Sequence, residues 1–97
     1  MTVFTITETY GFDDTTEVVA VCDSHASAIQ WLIKNKGLSE NYTQYYSIYS
    51  EYVSLKELYG KDWLKVLLEY KVFFFHLDGL DYEIEEKELF SEKPLDI

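Results

Sequence analysis

The residues able to do chemistry on a substrate are few, and they stand in two places. Cys22 and His25 lie three positions apart, where an apolar run meets a stretch with helical spacing. A helix N-terminus there could lower the thiol pKa, and the nearby imidazole could serve as its base. His76 and Asp78 flank Leu77 on one face of a run entering a tight turn, an arrangement that can orient an imidazole for acid–base work. Neither place completes a catalytic set. Cys22 closes an apolar strand-like run, the position of a buried small residue, and the His76–Asp78 pair has no nucleophile or third partner. The favoured reading is a strand histidine satisfied by its neighbours beside a turn aspartate. A closed zinc site wants four ligands, which Cys22, His25 and the distant His76 do not supply. The four glycines are dispersed, so there is no phosphate-cradling loop. The chain is expected to be no enzyme and to carry no metal or cofactor.

Two other concentrations of residues suit binding. The C-terminal third carries Asp78, Asp81, Glu83, Glu85, Glu86, Glu88, Glu92 and Asp96 against Lys87 and Lys93. On a strand, Glu83 and Glu85 share a face about 6.5 to 7 Å apart, close to the phosphate spacing along one DNA strand. Such a row can stand in for a phosphate backbone, or simply be a solvated face that keeps a sheet edge from pairing. From Tyr42 to Tyr52, five of eleven residues are tyrosines: Tyr42, Tyr45, Tyr46, Tyr49 and Tyr52. Tyrosine joins a large apolar area to a hydroxyl that tolerates water, and it is enriched at binding hot spots. If half of these pack inward, the rest can line a dimer seam. The partner-binding residues expected are therefore Asp81, Glu83, Glu85, Glu86 and Glu88 together with the five tyrosines.

Charge narrows the partner. Eighteen acidic residues against eight basic ones give a net charge of −10, and every basic residue is a lysine. Nucleic-acid binding relies on Lys and Arg neutralising phosphates, with Arg the usual reader of guanine. This balance argues against direct nucleic-acid binding and against an anionic membrane, and it fits a basic protein surface. The missing arginine also has a bland cause, an AT-rich genome that encodes lysine instead. Cys22 is the only cysteine, so no intramolecular disulfide forms and the cytoplasm is the expected compartment. Residues Met1 to Thr9 alternate without a charged region before an apolar run, so no secretory signal is read there. No apolar stretch approaches the roughly 20 residues of a spanning helix.

The elements that position these residues follow from periodicity. At 97 residues the chain fits one domain, with 91–97, around Pro94, as a tail. Val3–Thr9 alternates and Thr15–Cys22 is β-branched, and Tyr10-Gly11-Phe12-Asp13-Asp14 between them suits a turn, which together make a hairpin. Asp23 and Ser24 offer N-cap oxygens to a helix running to Lys36, where Gly37 would end it behind Lys34 and Lys36. Asn41–Val53 fits either period, and its Tyr, Thr, Ile and Val content favours a strand over Tyr45–Tyr52. Ser54-Leu55-Lys56-Glu57 is a capping box opening a second helix to Tyr70, with Gly60 as a weak point. Lys71–Leu77 is a central strand, Asp78-Gly79 a two-residue turn, and Leu80–Leu89 a strand that alternates Tyr82 and Ile84 against Glu83 and Glu85. The order is ββαβαββ, an α+β domain with two helices on an antiparallel or mixed sheet.

The segment from Val3 to Ile33, VFTITETYGFDDTTEVVAVCDSHASAIQWLI, resembles the opening of small uncharacterised phage and bacterial domains that run strand, acidic turn, strand and an Ala-containing helix. That resemblance implies a fold and a mobile-element origin, and no activity. In size, acidity and tyrosine content the whole chain is similar to the small inhibitors that phages and mobile elements encode, anti-CRISPR proteins and other DNA mimics among them. The resemblance implies an inhibitor that occupies a nucleic-acid-binding surface of a bacterial defence protein in the host cytoplasm, with a Cas9-type nuclease as the concrete candidate. The alternative is a structural or interaction module, homodimeric through the Tyr-rich segment, whose charge serves solubility.

Overall fold

Ser24 begins the best-defined element. Its extended backbone and side-chain oxygen cap helix α1 (His25–Lys36) by accepting the Ser27 N–H, and Gly37 at φ 68 closes the helix with its N–H on the Leu32 carbonyl. Glycine, which has no Cβ, adopts that left-handed turn without strain. The computed structural model describes residues 2–10, 15–46, 50–77 and 79–88. The turn read at 11–14, the tail 91–97 and residues 89 and 90 lie outside them.

Strands β1 (Thr2–Tyr10) and β2 (Thr16–Cys22) form the expected N-terminal hairpin. They pair antiparallel from Phe4↔Cys22 to Thr9↔Thr16, with a bulge between Ile6 and Thr7. After α1 the strand expected across Tyr45–Tyr52 is replaced by two, β3 (Thr43–Tyr46) and β4 (Glu51–Ser54), which face each other with Tyr45↔Tyr52 and Gln44↔Val53. Ser50 at φ 52 contributes to the reversal. The element order is therefore ββαββααββ, not ββαβαββ.

Ser54 caps the next helix as its sequence indicates, accepting the Glu57 N–H at 3.2 Å. Gly60, at φ 74 and ψ −160, then breaks the helix: α2 (Leu55–Tyr59) gives way to a 3₁₀ turn over Gly60–Asp62 before α3 (Trp63–Tyr70). Lys71 caps α3 in the left-handed region, which delays the following strand β5 to Phe74–Leu77. Strand β6 (Leu80–Glu88) returns at once, with Leu77↔Leu80 and His76↔Asp81 as the first pairs and Gly79 at φ 82 between the strands.

The six strands lie in the order β2-β1-β6-β5-β3-β4, and every pairing is antiparallel. Period-2 alternation sorts their side chains onto two faces. Ile6, Tyr82, Ile84 and Phe75 share one face and are buried with Ala28, Ile29 and Leu32 of α1, Leu38, Tyr42, Leu55 of α2 and Leu67 of α3. Each fully buried Leu, Ile or Phe among them contributes about 1.5 to 3 kcal/mol on leaving water. The helices thus cover one face of the sheet, and no described element covers the other. Among the described residues no helix is long and apolar enough to cross a membrane.

Candidate functional site

The uncovered face can be read directly from the register, because residues opposite one another in an antiparallel pair project to the same side. One row across the sheet is Val18, Thr7, Glu83 and Phe74; the row beside it on one side is Val21, Thr5 and Glu85, and on the other Thr9, Asp81, His76, Thr43 and Ser54. Tyr45, two residues beyond Thr43, and its partner Tyr52 complete the surface. Thr5 and Thr7 of β1 are buried between taller neighbours. Thr7 donates to the Glu83 carbonyl at 3.4 Å, whereas the Thr5 hydroxyl has no partner.

At the β5 end of this face four side chains lock together. His76 Nδ1 donates to Asp81 Oδ1 at 2.5 Å. The Tyr52 ring stacks on the imidazole at 4.3 Å and 22°, and Tyr45 meets Tyr52 edge-on at 5.6 Å. The Thr43 hydroxyl donates to the His76 carbonyl at 2.9 Å, and Gln44 Nε2 donates to the Phe74 carbonyl at 2.8 Å. These bonds tie the β3–β4 hairpin to β5, where Thr43↔His76 is the single backbone pair among the described residues. A carboxylate on one ring nitrogen and an aromatic ring on its face orient an imidazole; they do not form a nucleophile–base pair. The expected partner Asp78 lies outside the described residues. Asp81, one strand over, takes the role given to Asp78.

Cys22 and His25 turn away from chemistry. Cys22 sits opposite Phe4 and packs against the core, where burial, and then the Asp23 carboxylate, push its thiol up from the ordinary value. This is the reverse of the activation that its place before a helix suggested. His25 is buried, with Nε2 donating to the Val72 carbonyl at 2.7 Å and its ring edge-on to Phe73 at 5.1 Å.

The binding residues divide. Asp81, Glu83 and Glu85 point to the open face, while Glu86 and Glu88 belong to the opposite side of β6, across from Phe4 and Thr2. Glu88 accepts the Thr2 hydroxyl at 3.0 Å, which holds its carboxyl below the ordinary range. Tyr42 is a core residue, 1% exposed, its hydroxyl donating to the Lys36 carbonyl at 2.8 Å. Tyr45 and Tyr52 are 54% and 51% exposed. Of Tyr46 only the strand backbone is described, and Tyr49 lies outside the described residues.

Two residues stand out that the sequence reading passed over. Phe74, 40% exposed, lies directly opposite Glu83. Glu8, 7% exposed, accepts the Tyr82 hydroxyl at 2.6 Å and pairs with Lys36 at 3.2 Å. The signal for Glu8 was present, since it continues the Phe4, Ile6 alternation on the apolar face.

Of the described lysines, Lys34, Lys36, Lys56, Lys61, Lys65 and Lys71 belong to α1, α2, the 3₁₀ turn, α3 or its cap, where Glu57, Asp62 and Glu69 also lie, and Lys87 stands on β6 opposite Val3, on the open face two residues from Glu85. Glu83 and Glu85 have no cationic partner among the described residues. The arrangement defines an α+β protein with one helix-covered and one bare sheet face, the bare face carrying carboxylates between exposed apolar residues. No protein-family model, curated protein or solved structure matches the chain.

Proposed function

We propose that this chain is an acidic protein-binding module, not an enzyme, and that its open sheet face docks onto a positively charged surface with which a partner holds nucleic acid. In its concrete form it is an inhibitor acting in the bacterial cytoplasm on a defence protein, a Cas9-type nuclease being the candidate. The observation that carries the reading is the row Val18, Thr7, Glu83, Phe74 with its neighbours Glu85 and Asp81. Glu83 and Glu85, without a cationic partner among the described residues, sit with exposed apolar side chains on a face that nothing described covers. Exposed apolar area on a bare sheet marks an interaction surface, and carboxylates without cations of their own supply attraction to a basic one.

The test is competition. A purified Cas9-type nuclease should lose DNA binding as the chain is added, excess DNA should displace the chain, and the effect should weaken as salt rises. Inhibition that persists undiminished in excess DNA and high salt, or no inhibition of any nucleic-acid-binding defence protein, overturns the proposal.

One observation favours the alternative, a homodimer through the Tyr-rich hairpin: β4 is an edge strand, and Tyr52 on it is half exposed. Stacking two open faces would bring Asp81, Glu83 and Glu85 against their own copies, which costs like-charge repulsion. Only edge-to-edge pairing avoids that, and sedimentation at low and high concentration detects it.

A further inference from the structure

Resting on that reading, we infer that the open face selects arginine rather than lysine on its partner, by laying a guanidinium plane on the Phe74 ring while its N–H fork engages the Glu83 carboxylate. Phe74 and Glu83 are directly opposed across the β5–β6 pair, so their Cβ atoms stand about 4.5 to 5.5 Å apart on the same face. Phe74 is an exposed aromatic on a strand whose next residue, Phe75, is fully buried. Its ring stacks on no described aromatic residue. Glu83 is exposed and has no described cation. The neighbouring carboxylate, Asp81, is already committed to His76, and the Tyr52 ring already covers that imidazole. The unsatisfied acceptor and the unsatisfied ring therefore coincide at Phe74 and Glu83.

A cation that fits both must be flat and must carry donors at its edge. Guanidinium is planar, weakly hydrated and forked, so it stacks on an aromatic face and pairs bidentately with a carboxylate in one pose. Lysine offers a compact, strongly hydrated point charge. It satisfies Glu83 but keeps its water shell over the ring. The exposed rings of Tyr45 and Tyr52 lie on the same face and extend the apolar platform for the stems of neighbouring basic residues.

The experiment uses the full chain and two short peptides of matched length and charge, one with arginine and one with lysine as its only cation. Affinities are measured by calorimetry, and contacts by chemical-shift perturbation. The arginine peptide should bind tighter by roughly two- to fivefold, the increment of one exposed cation–π contact. Phe74→Leu should erase that preference while leaving lysine-peptide binding unchanged, Phe74→Tyr should retain it, and Glu83→Gln should weaken both peptides. Should Phe74→Leu not fold, the wild-type shifts decide, since the arginine peptide must then perturb Phe74 and Glu83 above all. Equal affinities for the two peptides, a preference that survives Phe74→Leu, or shifts confined to the helical layer overturn the arginine inference and leave the basic-surface reading standing. If neither peptide binds even at low salt, both fall.

Discussion

Tyr82 donates its hydroxyl to Glu8 across 2.6 Å between adjacent central strands, and Lys36 closes on the same carboxylate oxygen from α1 at 3.2 Å. A carboxylate in the middle of the helix-facing side is thereby fixed to a phenol and an ammonium group. Lys36 also lies about 6 Å from the centroids of the Trp31 and Tyr82 rings, so one lysine ties the end of α1 to β1 and β6.

Stability should fall in acid through Glu8. The Tyr82 hydrogen bond above all, with Lys36 adding to it, holds the Glu8 carboxyl below its ordinary value against the opposing pull of burial. A carboxyl lowered in the folded state stabilises fully above the unfolded value, here 4.5, and loses that contribution as pH falls through the lower folded value. Urea unfolding between pH 6 and pH 2.5, about two units below the ordinary value, should show a steeper loss in the wild type than in Glu8→Gln, which starts less stable. Parallel curves would exclude Glu8 as the source.

At the alkaline end the same bond acts in the opposite sense. Burial first, then the Glu8 carboxylate, push the Tyr82 phenol above its ordinary value. A raised group stabilises fully below the unfolded value, near 10, and that contribution is lost as pH rises from there through the higher folded value. Spectrophotometric titration should find Tyr82 among the tyrosines that ionise only with unfolding, and Tyr82→Phe should lower their number by one. The same change strands Glu8 without its donor and should cost about 1.5 to 3 kcal/mol, the range for a hydrogen bond to a charged group.

The hairpin of β3 and β4 should loosen when the Tyr52 ring is removed. Its backbone attachment to β5 is one pair among the described residues, reinforced by Thr43, Gln44 and the Tyr52–His76 stack. Tyr52→Ala should cost about 0.5 to 1.5 kcal/mol beyond the lost burial. Amide exchange should accelerate in β3 and β4 while β1 and β6 stay protected. Uniform acceleration across the sheet would mean that the stack supports the whole fold.

Binding should distinguish the two sides of β6. Glu83→Gln with Glu85→Gln leaves exposed or half-exposed positions uncharged, so stability should change by no more than about 0.5 kcal/mol. Association with the partner should nonetheless slow, and its dependence on salt should flatten. Glu86→Gln with Glu88→Gln, an equal loss of charge on the other side, should do markedly less. Equal effects from both pairs would point to net charge alone and not to the open face.

Much of this arrangement was legible in the sequence wherever a backbone signal marked an end. Ser24 and Gly37 bound α1, Ser54 opens α2, and the Asp78-Gly79 turn signal in the sequence agrees with the Leu77↔Leu80 pair of β5 and β6. That register also held the His76 partner: a two-residue loop places Leu77 opposite Leu80 and therefore His76 opposite Asp81. The cross-strand neighbour lies about 4.5 to 5.5 Å away, nearer than an i+2 residue on the same strand at about 6.5 to 7 Å, so Asp81 is the carboxylate that the register brings to His76. The β3–β4 reversal was not legible. Residues 47–50 contain no Gly, Pro, Asn or Asp, the reversal involves a serine in the left-handed region, and strand propensity is uniform through it. With the hairpin unseen, nothing distinguished Tyr42, which enters the core, from Tyr45 and Tyr52, which do not.

The chain's net charge of −10 acts on a basic surface before any side chain touches. Screening confines that pull to the last 8 to 10 Å or so at physiological salt. Two copies meeting each other carry the same excess of negative charge and are pushed apart. In concentrated solution at low salt the chain should therefore stay dispersed, and any self-association should strengthen as salt rises.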